Sequence, residues 1–243
     1  MTAVILAAGK SSRLLPLTTE IPKCLLMVGQ QTMLEWTVNS LLRNRLTSII
    51  LVVGFQREKI VAFVRSRWPE EPIRFAENPD FAETNNAYSL LLARDAVASD
   101  SMLLLDGDIL FDDMILRQIL LTPDDVCCVM RTQGTFSIED IKIELNDSLR
   151  IRRIGKDIPL ECAAGESIGM EKFSAASAQL LFQALAKRVI SEKRVHEFYE
   201  ASFQEMIDTG LEFHAMDAGH LSCIEVDTEE DLINAREMFA HRD

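Results

Sequence analysis

Short apolar runs alternate along this chain with longer stretches in which apolar residues recur every three or four positions. Residues 3–6 read as a buried strand. Residues 33–42 read as a helix that gathers Met33, Leu34, Val38, Leu41 and Leu42 on one face. SIILVV, residues 48–53, is an uninterrupted apolar strand, the pattern expected where both faces of a sheet are covered. The series continues with a helix over 58–67, a strand over 73–76, and a helix capped by Thr84 and running to Ala93. A second fully apolar strand, 101–105, ends at Asp106, and after a short helix comes a strand over 126–130.

The pattern changes after about residue 135. Runs at 141–145 and 149–154 flank Asn146-Asp147-Ser148, a hairpin signal. A strand over 164–170, helices over 174–190 and 198–209, and strands over 212–216 and 223–226 follow. Gly210 stops the second helix, and Thr228 opens a terminal helix with Asp231 placed for a capping-box contact. Alternating strands and helices predict an α/β, Rossmann-like, three-layer fold. Its sheet is mostly parallel with right-handed crossovers and a small antiparallel extension. No linker, repeat or low-complexity run divides residues 1–243, so one domain is expected. In such sheets ligands bind beyond the carboxyl ends of the strands, which directs attention to the residues after Leu6, Val53, Ala76 and Leu105.

Composition narrows the function. With 243 residues, 48% hydrophobic and 26% charged, the chain is of ordinary globular make-up, and no apolar run approaches the roughly 20 residues of a membrane helix. The opening MTAVILAAGKSSR lacks a basic region before its apolar stretch and reads as a strand, not a signal peptide. A formal net charge of −13 repels nucleic acid and anionic lipid, although a small anionic substrate needs only a local positive pocket and a metal ion. Cys24, Cys127, Cys128, Cys162 and Cys223 show no Cys-x-x-Cys spacing, which suggests reduced thiols and a cytoplasmic location. His196, His214, His220 and His241 lack metal-ligand spacing.

The segment LAAGKSSRLLPLTTEIPKCLL, residues 6–26, carries the most chemistry. Ala7, Ala8 and Gly9 let a ligand approach the backbone at a strand end. Lys10, Ser11, Ser12 and Arg13 then put amide N–H groups, hydroxyls and two cations into one loop, a phosphate cradle by composition. Pro16 and Pro22 stiffen it, and Lys23 adds a third cation. In LLLDGDILFD, residues 103–112, Asp106 and Asp108 end a buried strand, where a hard cation such as Mg²⁺ takes carboxylate and phosphate oxygens together.

The first segment resembles the signature LAAG-x-G-x-R…P-L-T…P-K of the nucleotidyltransferases that activate phosphorylated sugars and alcohols. It matches at Leu6 to Gly9, Arg13, Pro16, Leu17, Thr18, Pro22 and Lys23, with Ser11 where that family has glycine. The resemblance extends along the chain and implies the nucleotide-diphospho-sugar transferase type of fold, with residues 1–135 as a nucleotide-binding half and 136–243 as an acceptor-binding half. It implies that the loop wraps a nucleotide triphosphate through Leu6, Ala7, Ala8, Gly9, Lys10, Ser11 and Ser12, that Arg13 contacts phosphate, and that Lys23 stabilises charge at the reacting phosphorus. It makes Asp108 and, from the later acidic motif CIEVDTEEDL, Asp227 the ligands of Mg²⁺, with Asp106 their neighbour among the nucleotide contacts.

Within that superfamily the chain is most similar to the small cytidylyltransferases that act on phosphocholine or 2-aminoethylphosphonate. NPDFAETNNAYSL (78–90), IGKDIP with GESIGMEKFS (154–174) and FYEASFQEMI (198–207) carry the likeness. It implies nucleotide contacts from Asn85, Asn86 and Ser89, acceptor phosphate binding by Lys156, and a head-group site from Tyr88, Glu166, Tyr199 and Glu200. The implied partners are CTP and a small phosphorylated or phosphonylated amino-alcohol, without nucleic acid or membrane, a homodimer being left open. The alternatives are a sugar-1-phosphate nucleotidyltransferase and a non-catalytic nucleotide-binding regulator. A dinucleotide-binding oxidoreductase would need a Gly-x-Gly-x-x-Gly turn that residues 9–14 do not supply.

Overall fold

A computed structural model describes residues 1–134 and 136–240; His241 lies outside the described residues. The elements of the first half are β1 (Thr2–Ala7), β2 (Met27–Val28), β3 (Gln31–Thr32), α1 (Met33–Arg43), β4 (Ile49–Val53), α2 (Arg57–Arg67), β5 (Arg74–Glu77), α3 (Asn86–Leu92), α4 (Arg94–Val97), β6 (Met102–Asp106), β7 (Ile109–Phe111), α5 (Asp113–Leu121) and β8 (Val126–Arg131). The second half adds β9 (Lys142–Leu145), β10 (Ile151–Gly155), β11 (Gly165–Phe173), α6 (Ala175–Ala186), α7 (Glu200–Asp208), β12 (His214–Asp217), β13 (Cys223–Glu225) and α8 (Glu229–Met238).

The main sheet runs β10-β9-β11-β6-β1-β4-β5, with β8 joined to β11 and β12. β6, β1, β4 and β5 are mutually parallel, as the alternation of strands and helices predicted. β11 is the seam: it pairs antiparallel with β6, β8 and β9, so the second half of the chain extends the same sheet. The expected hairpin is β9–β10, its turn held by Asn146, whose Oδ1 accepts from the amides of Ser148 and Arg150.

Strand alternation sends successive side chains to opposite faces and so builds three layers. Val4, Ile50, Val52 and Leu104 pack with α3, α6 and α7, whereas Ala3, Ile5, Leu51, Val53, Leu103 and Leu105 pack with α1, α2 and α5. A third cluster, with Leu14, Leu26, Trp36, Val226, Leu232 and Phe239, clamps α8 onto α1 and the loop after β1. The Trp36 and Phe239 rings meet edge-on at 5.5 Å. That clamp carries the chain end to the phosphate loop.

Local chemistry corrects three expectations. Asn85, not Thr84, caps α3: its side chain accepts from the Asn86 amide, while the Thr84 hydroxyl donates to the Asp80 carbonyl. The helix expected to reach Ala93 breaks there into α3 and α4. The unforeseen strand β7 pairs antiparallel with β13. The terminal helix has the expected capping box between Thr228 and Asp231, and an equivalent one between Thr32 and Glu35 opens α1.

Candidate active site

The strand ends are brought together by glycine. The Gly107 amide donates to the Leu6 carbonyl at 2.8 Å, and a Cβ on Gly107 would stand 2.4 Å from that oxygen. β6 therefore turns sharply against β1 and delivers Asp108. The Val226 amide donates to the Asp108 carbonyl at 3.0 Å, and the β13–β7 pairing continues that contact, so Asp227 arrives beside Asp108 from 119 positions further along the chain (227 − 108).

Lys23, on a single 3₁₀ turn after Pro22, stands between these two carboxylates. Its Nζ donates to Asp108 Oδ2 at 2.8 Å and Asp227 Oδ1 at 2.7 Å, and Arg13 reaches Asp227 Oδ2 at 2.6 Å. Lys23 is only 8% exposed. Burial works against its charge, but Asp108 and Asp227 outweigh it and raise its pKa above the ordinary lysine value. Burial likewise works to raise Asp227, and Lys23 and Arg13 overcome it, so this carboxyl lies below its ordinary value.

Glu225 joins the cluster: carboxylate oxygens of Asp108, Glu225 and Asp227 lie within 4.8 Å of one another. Its side chain opens toward solvent, yet crowding by surrounding protein and then by Asp108 and Asp227 raises its pKa. Among the described residues, Asp108 Oδ1 is buried without a hydrogen-bond partner. Three convergent carboxylates with one orphaned oxygen suit a hard divalent cation, whose usual ligands are oxygens.

Beyond the cluster lies a cavity of about 220 Å³, bordered by Leu6, Ala8, Gly9, Arg13, Asn86 and Ser89, with Asn85, Asp106 and Asp108 also on its wall. Ala7 and Ser11 border a smaller hollow of about 60 Å³ beside Lys23 and Gly107. Ser11 adopts φ +51°, held by the buried Thr18 hydroxyl, which donates to its carbonyl at 3.0 Å; glycine takes this left-handed conformation without strain. Lys10 and Ser12 border neither space, and the Lys10 ammonium stands 5.8 Å from the centre of the Phe81 ring. Ser89 is fixed by the buried Asn78, whose Nδ2 donates to its hydroxyl at 2.9 Å. Asn86 Oδ1 accepts from the Tyr199 amide at 2.9 Å, and Asn85 reaches the His196 carbonyl at 3.2 Å. These bonds tie the two halves of the chain across the cavity.

A connecting cavity of about 140 Å³ is bordered by Arg13, Asp106, Lys156, Gly169, Phe198 and Glu200, among others. Asp106 is held by the Tyr199 phenol, and burial first, then Asp108 and Glu200, keeps its carboxyl well above the usual range. Gly169, at φ +71°, leaves room for it: a Cβ would lie 2.6 Å from Asp106 Oδ2.

The head-group expectation needs correction. Tyr199 is wholly buried and packs on Phe203, so its ring borders neither of these two cavities; its neighbour Phe198 does. Tyr88 donates to Asp80, and Glu166 is held by the Arg131 guanidinium; neither borders the cavity. Burial and Asp140 push Glu166 up to about 7 despite Arg131. Glu200 does reach the cavity. It is 5% exposed, its Oε2 has no partner among the described residues, and burial pushes it up to about 7. Lys156 stands at the mouth, 3.3 Å from Glu139 Oε2 and 4.7 Å from the centre of the Phe198 ring.

Sequence reasoning missed Glu225, Gly169, Phe198 and Asn78 as site residues. The first two had a signal: Glu225 shares the strand face of Asp227, and a glycine inside a strand marks close approach.

Residues 3–205 match the MobA-like NTP transferase domain family. The chain is 29% identical over 179 residues to a 2-aminoethylphosphonate cytidylyltransferase of Lancefieldella rimae, covering 74% of this chain and 69% of that protein. It is 25% identical over 240 residues to a choline-phosphate cytidylyltransferase of Streptococcus pneumoniae, covering 98% of each. A 38% match over 113 residues to the bifunctional protein GlmU of Methanococcus aeolicus spans 46% of this chain but about a quarter (26%) of that longer protein. The solved CTP:phosphocholine cytidylyltransferase of Streptococcus pneumoniae superposes with a TM-score of 0.79 at 23% identity over 98% of each chain, a likeness of fold.

Proposed function

This chain belongs to the MobA-like NTP transferase domain family, and on that premise we propose that it joins the CMP unit of CTP to a small phosphorylated or phosphonylated amino-alcohol, releasing pyrophosphate. The observation that carries the reading is the position of Lys23. A buried ammonium between Asp108 and Asp227, with Arg13 beside it, puts two cations and three carboxylates suited to a metal ion at one end of the cavity of about 220 Å³.

An oxygen of the acceptor phosphate attacks the α-phosphorus of CTP. The new P–O bond forms as the bond to the β-phosphate oxygen breaks, and pyrophosphate leaves with the electron pair. Lys23 and Arg13 balance the charge that gathers on the phosphates, so positioning and electrostatics supply the rate. Asp108, Asp227 and Glu225 would hold a Mg²⁺ ion, which when bound supplies Lewis-acid stabilisation of phosphate oxygens. Asn85, Asn86 and Ser89 line the nucleotide side, and Lys156 serves the acceptor phosphate. The sheet shared by residues 1–135 and 136–243 supports one domain with a nucleotide-binding and an acceptor-binding half.

The acceptor class rests on Glu200 and Phe198, a buried carboxyl and an aromatic ring on one cavity wall, which together suit an organic cation and give a neutral sugar no charge to use. The relatives named for phosphocholine and 2-aminoethylphosphonate support it. The free thiols of all five cysteines support a cytoplasmic setting. The test is pyrophosphate release with each nucleoside triphosphate against phosphocholine, 2-aminoethylphosphonate and glucose-1-phosphate. The reading expects turnover with CTP and an amino-alcohol compound; turnover on the sugar alone sinks it.

A further inference from the structure

Two cavities meet at one wall. The cavity of about 140 Å³ that holds Asp106 and Asp227 shares Ile141, Lys156, Phe198 and Glu200 with a larger one of about 670 Å³, which extends between β10 and α7. At that wall the protein already holds an organic cation of its own. The Lys156 ammonium lies 4.7 Å from the centre of the Phe198 ring, 3.3 Å from Glu139 Oε2, and close enough to Glu200 for its charge to favour the carboxylate form. An aromatic face flanked by carboxylates is the recognition chemistry of a substituted ammonium. Lys156 sits in a turn after Gly155 and is about one-third exposed, so its departure disturbs no core packing.

The charges of the larger cavity point the same way. Arg153 is paired with Asp157 at 2.9 Å, and Arg188 with Glu197 at 2.8 Å and Glu205 at 2.9 Å, so its arginines are already neutralised. Among the described residues, Asp208 accepts from the uncharged amide of Gln204 and Glu200 Oε2 accepts nothing. An added anion meets surplus carboxylate there. A cation with apolar substituents meets carboxylates, Phe198 and Ala201. A trimethylammonium group would fill a small fraction of this space.

We propose that the acceptor's ammonium displaces the Lys156 ammonium from the face of Phe198 and directs its N-substituents into the larger cavity, so that the acceptor class extends to phosphorylated amino-alcohols with bulky N-alkyl or N-benzyl groups. Displaced from the ring, Lys156 is free for the acceptor phosphate. The acceptor class rests on the reaction proposed above; the cation site does not.

Two measurements separate these. In calorimetry with choline, which lacks the phosphate, Lys156→Met binds about fivefold more tightly than the wild type because the competing ammonium is gone, whereas Lys156→Arg does not. Equal choline affinity in Lys156→Met and wild type overturns the displacement. In turnover with CTP, the N-benzyl-N,N-dimethyl analogue of phosphocholine has a KM within about threefold of phosphocholine itself, and Ala201→Phe, which fills the larger cavity, raises the KM for the benzyl compound about tenfold and spares phosphocholine. Rejection of the benzyl compound by a wild-type enzyme that uses phosphocholine overturns the extended class. Absence of turnover on every amino-alcohol, with choline still bound more tightly by Lys156→Met, overturns the reaction assignment and supports the cation site.

Discussion

The Tyr199 phenol donates to Asp106 Oδ2 at 3.0 Å, joining the residue before α7 to the end of β6 across 93 positions of sequence. Tyr199 is fully buried, and burial first, then the carboxyls of Asp106, Glu171 and Glu200, keeps its phenol neutral, so it remains a donor. Asp106 borders both cavities of the site, and the phenol fixes where its carboxyl points. Tyr199→Phe removes that donor without removing the ring. It should cost about 1–3 kcal/mol of stability, the range for leaving a buried acceptor unpaired. Because Tyr199 acts through Asp106, kcat should fall while the KM for CTP changes little. Urea unfolding and steady-state kinetics check both; wild-type values in each would reduce Tyr199 to ring packing.

Gly169 lies against the same carboxyl oxygen. A methyl group there would lie 2.6 Å from Asp106 Oδ2, on a residue at φ +71°. The left-handed backbone alone disfavours alanine by about 1–2 kcal/mol, and the contact must also push Asp106 aside. Gly169→Ala should therefore lose both stability and turnover. Retained activity would show that Asp106 can move without penalty.

Lys23 and its two carboxylates form the electrostatic centre, and removing either sign leaves the other uncompensated. Asp108→Asn and Asp227→Asn should lose several kcal/mol of transition-state stabilisation if they hold the catalytic cation. They should also lose the rise in melting temperature that Mg²⁺ with CTP gives the wild type. Lys23→Ala leaves Asp108, Asp227 and Glu225 facing one another. It should lower kcat more than it raises KM, since charge that acts on the transition state appears in kcat. It should also destabilise the free protein by about 3–5 kcal/mol, the range for breaking a buried ion pair. A pure KM effect would move Lys23 into nucleotide binding.

How far this site was legible depends on how local each signal is. β4 and β6 were plain because a strand covered on both faces is an uninterrupted apolar run, and the phosphate loop was plain because its cations, small residues and prolines are contiguous. The Thr228–Asp231 capping box was readable at three-residue spacing, and the same pattern at Thr32 and Glu35 was there to be read. β7 was not: a three-residue strand has no period, and its partner β13 lies more than 100 residues away. Phe198 and Tyr199 differ by one position, and only the docking of α7 on the sheet decides which ring enters the core and which faces the cavity. The antiparallel pairing of β11 with β6, Met170 opposite Leu105, brings Gly169 to Asp106; the glycine itself marked a close approach, but its partner strand lies about 60 residues earlier in the chain.

Ser11 offers a test in the opposite direction. It holds φ +51°, where a side chain is strained and glycine is not. Ser11→Gly should stabilise the native loop, offset in part by the extra freedom glycine gives the unfolded chain. CTP affinity should be unchanged or better, since the backbone amides stay in place. Weaker CTP binding in calorimetry would mean that the Ser11 hydroxyl itself contacts the nucleotide.

Glu200 gives the clearest dependence on pH. Burial raises its carboxyl from 4.5 to about 7, so between these values the folded protein holds a proton that the unfolded chain has released. A raised pKa contributes stability that is complete below 4.5 and lost as the pH rises through about 7. At about 1.4 kcal/mol per pH unit, the loss across this window is at most about 3.5 kcal/mol. Glu200→Gln keeps the shape and removes the proton, so its stability should fall less than that of the wild type from pH 5 to pH 8. Burial raises Asp106 and Glu171 as well, and Glu200 adds to both, so in Glu200→Gln their share of the loss shrinks in the same direction. The acceptor should respond with the opposite sign: an ammonium favours the ionised carboxylate, so the KM for phosphocholine should fall as the pH rises through 7 in the wild type and stay flatter in Glu200→Gln. Urea titrations and KM values across this range check both arms. Parallel stability curves would show that Glu200 is already ionised in the folded protein, and parallel KM profiles would remove it from the head-group site.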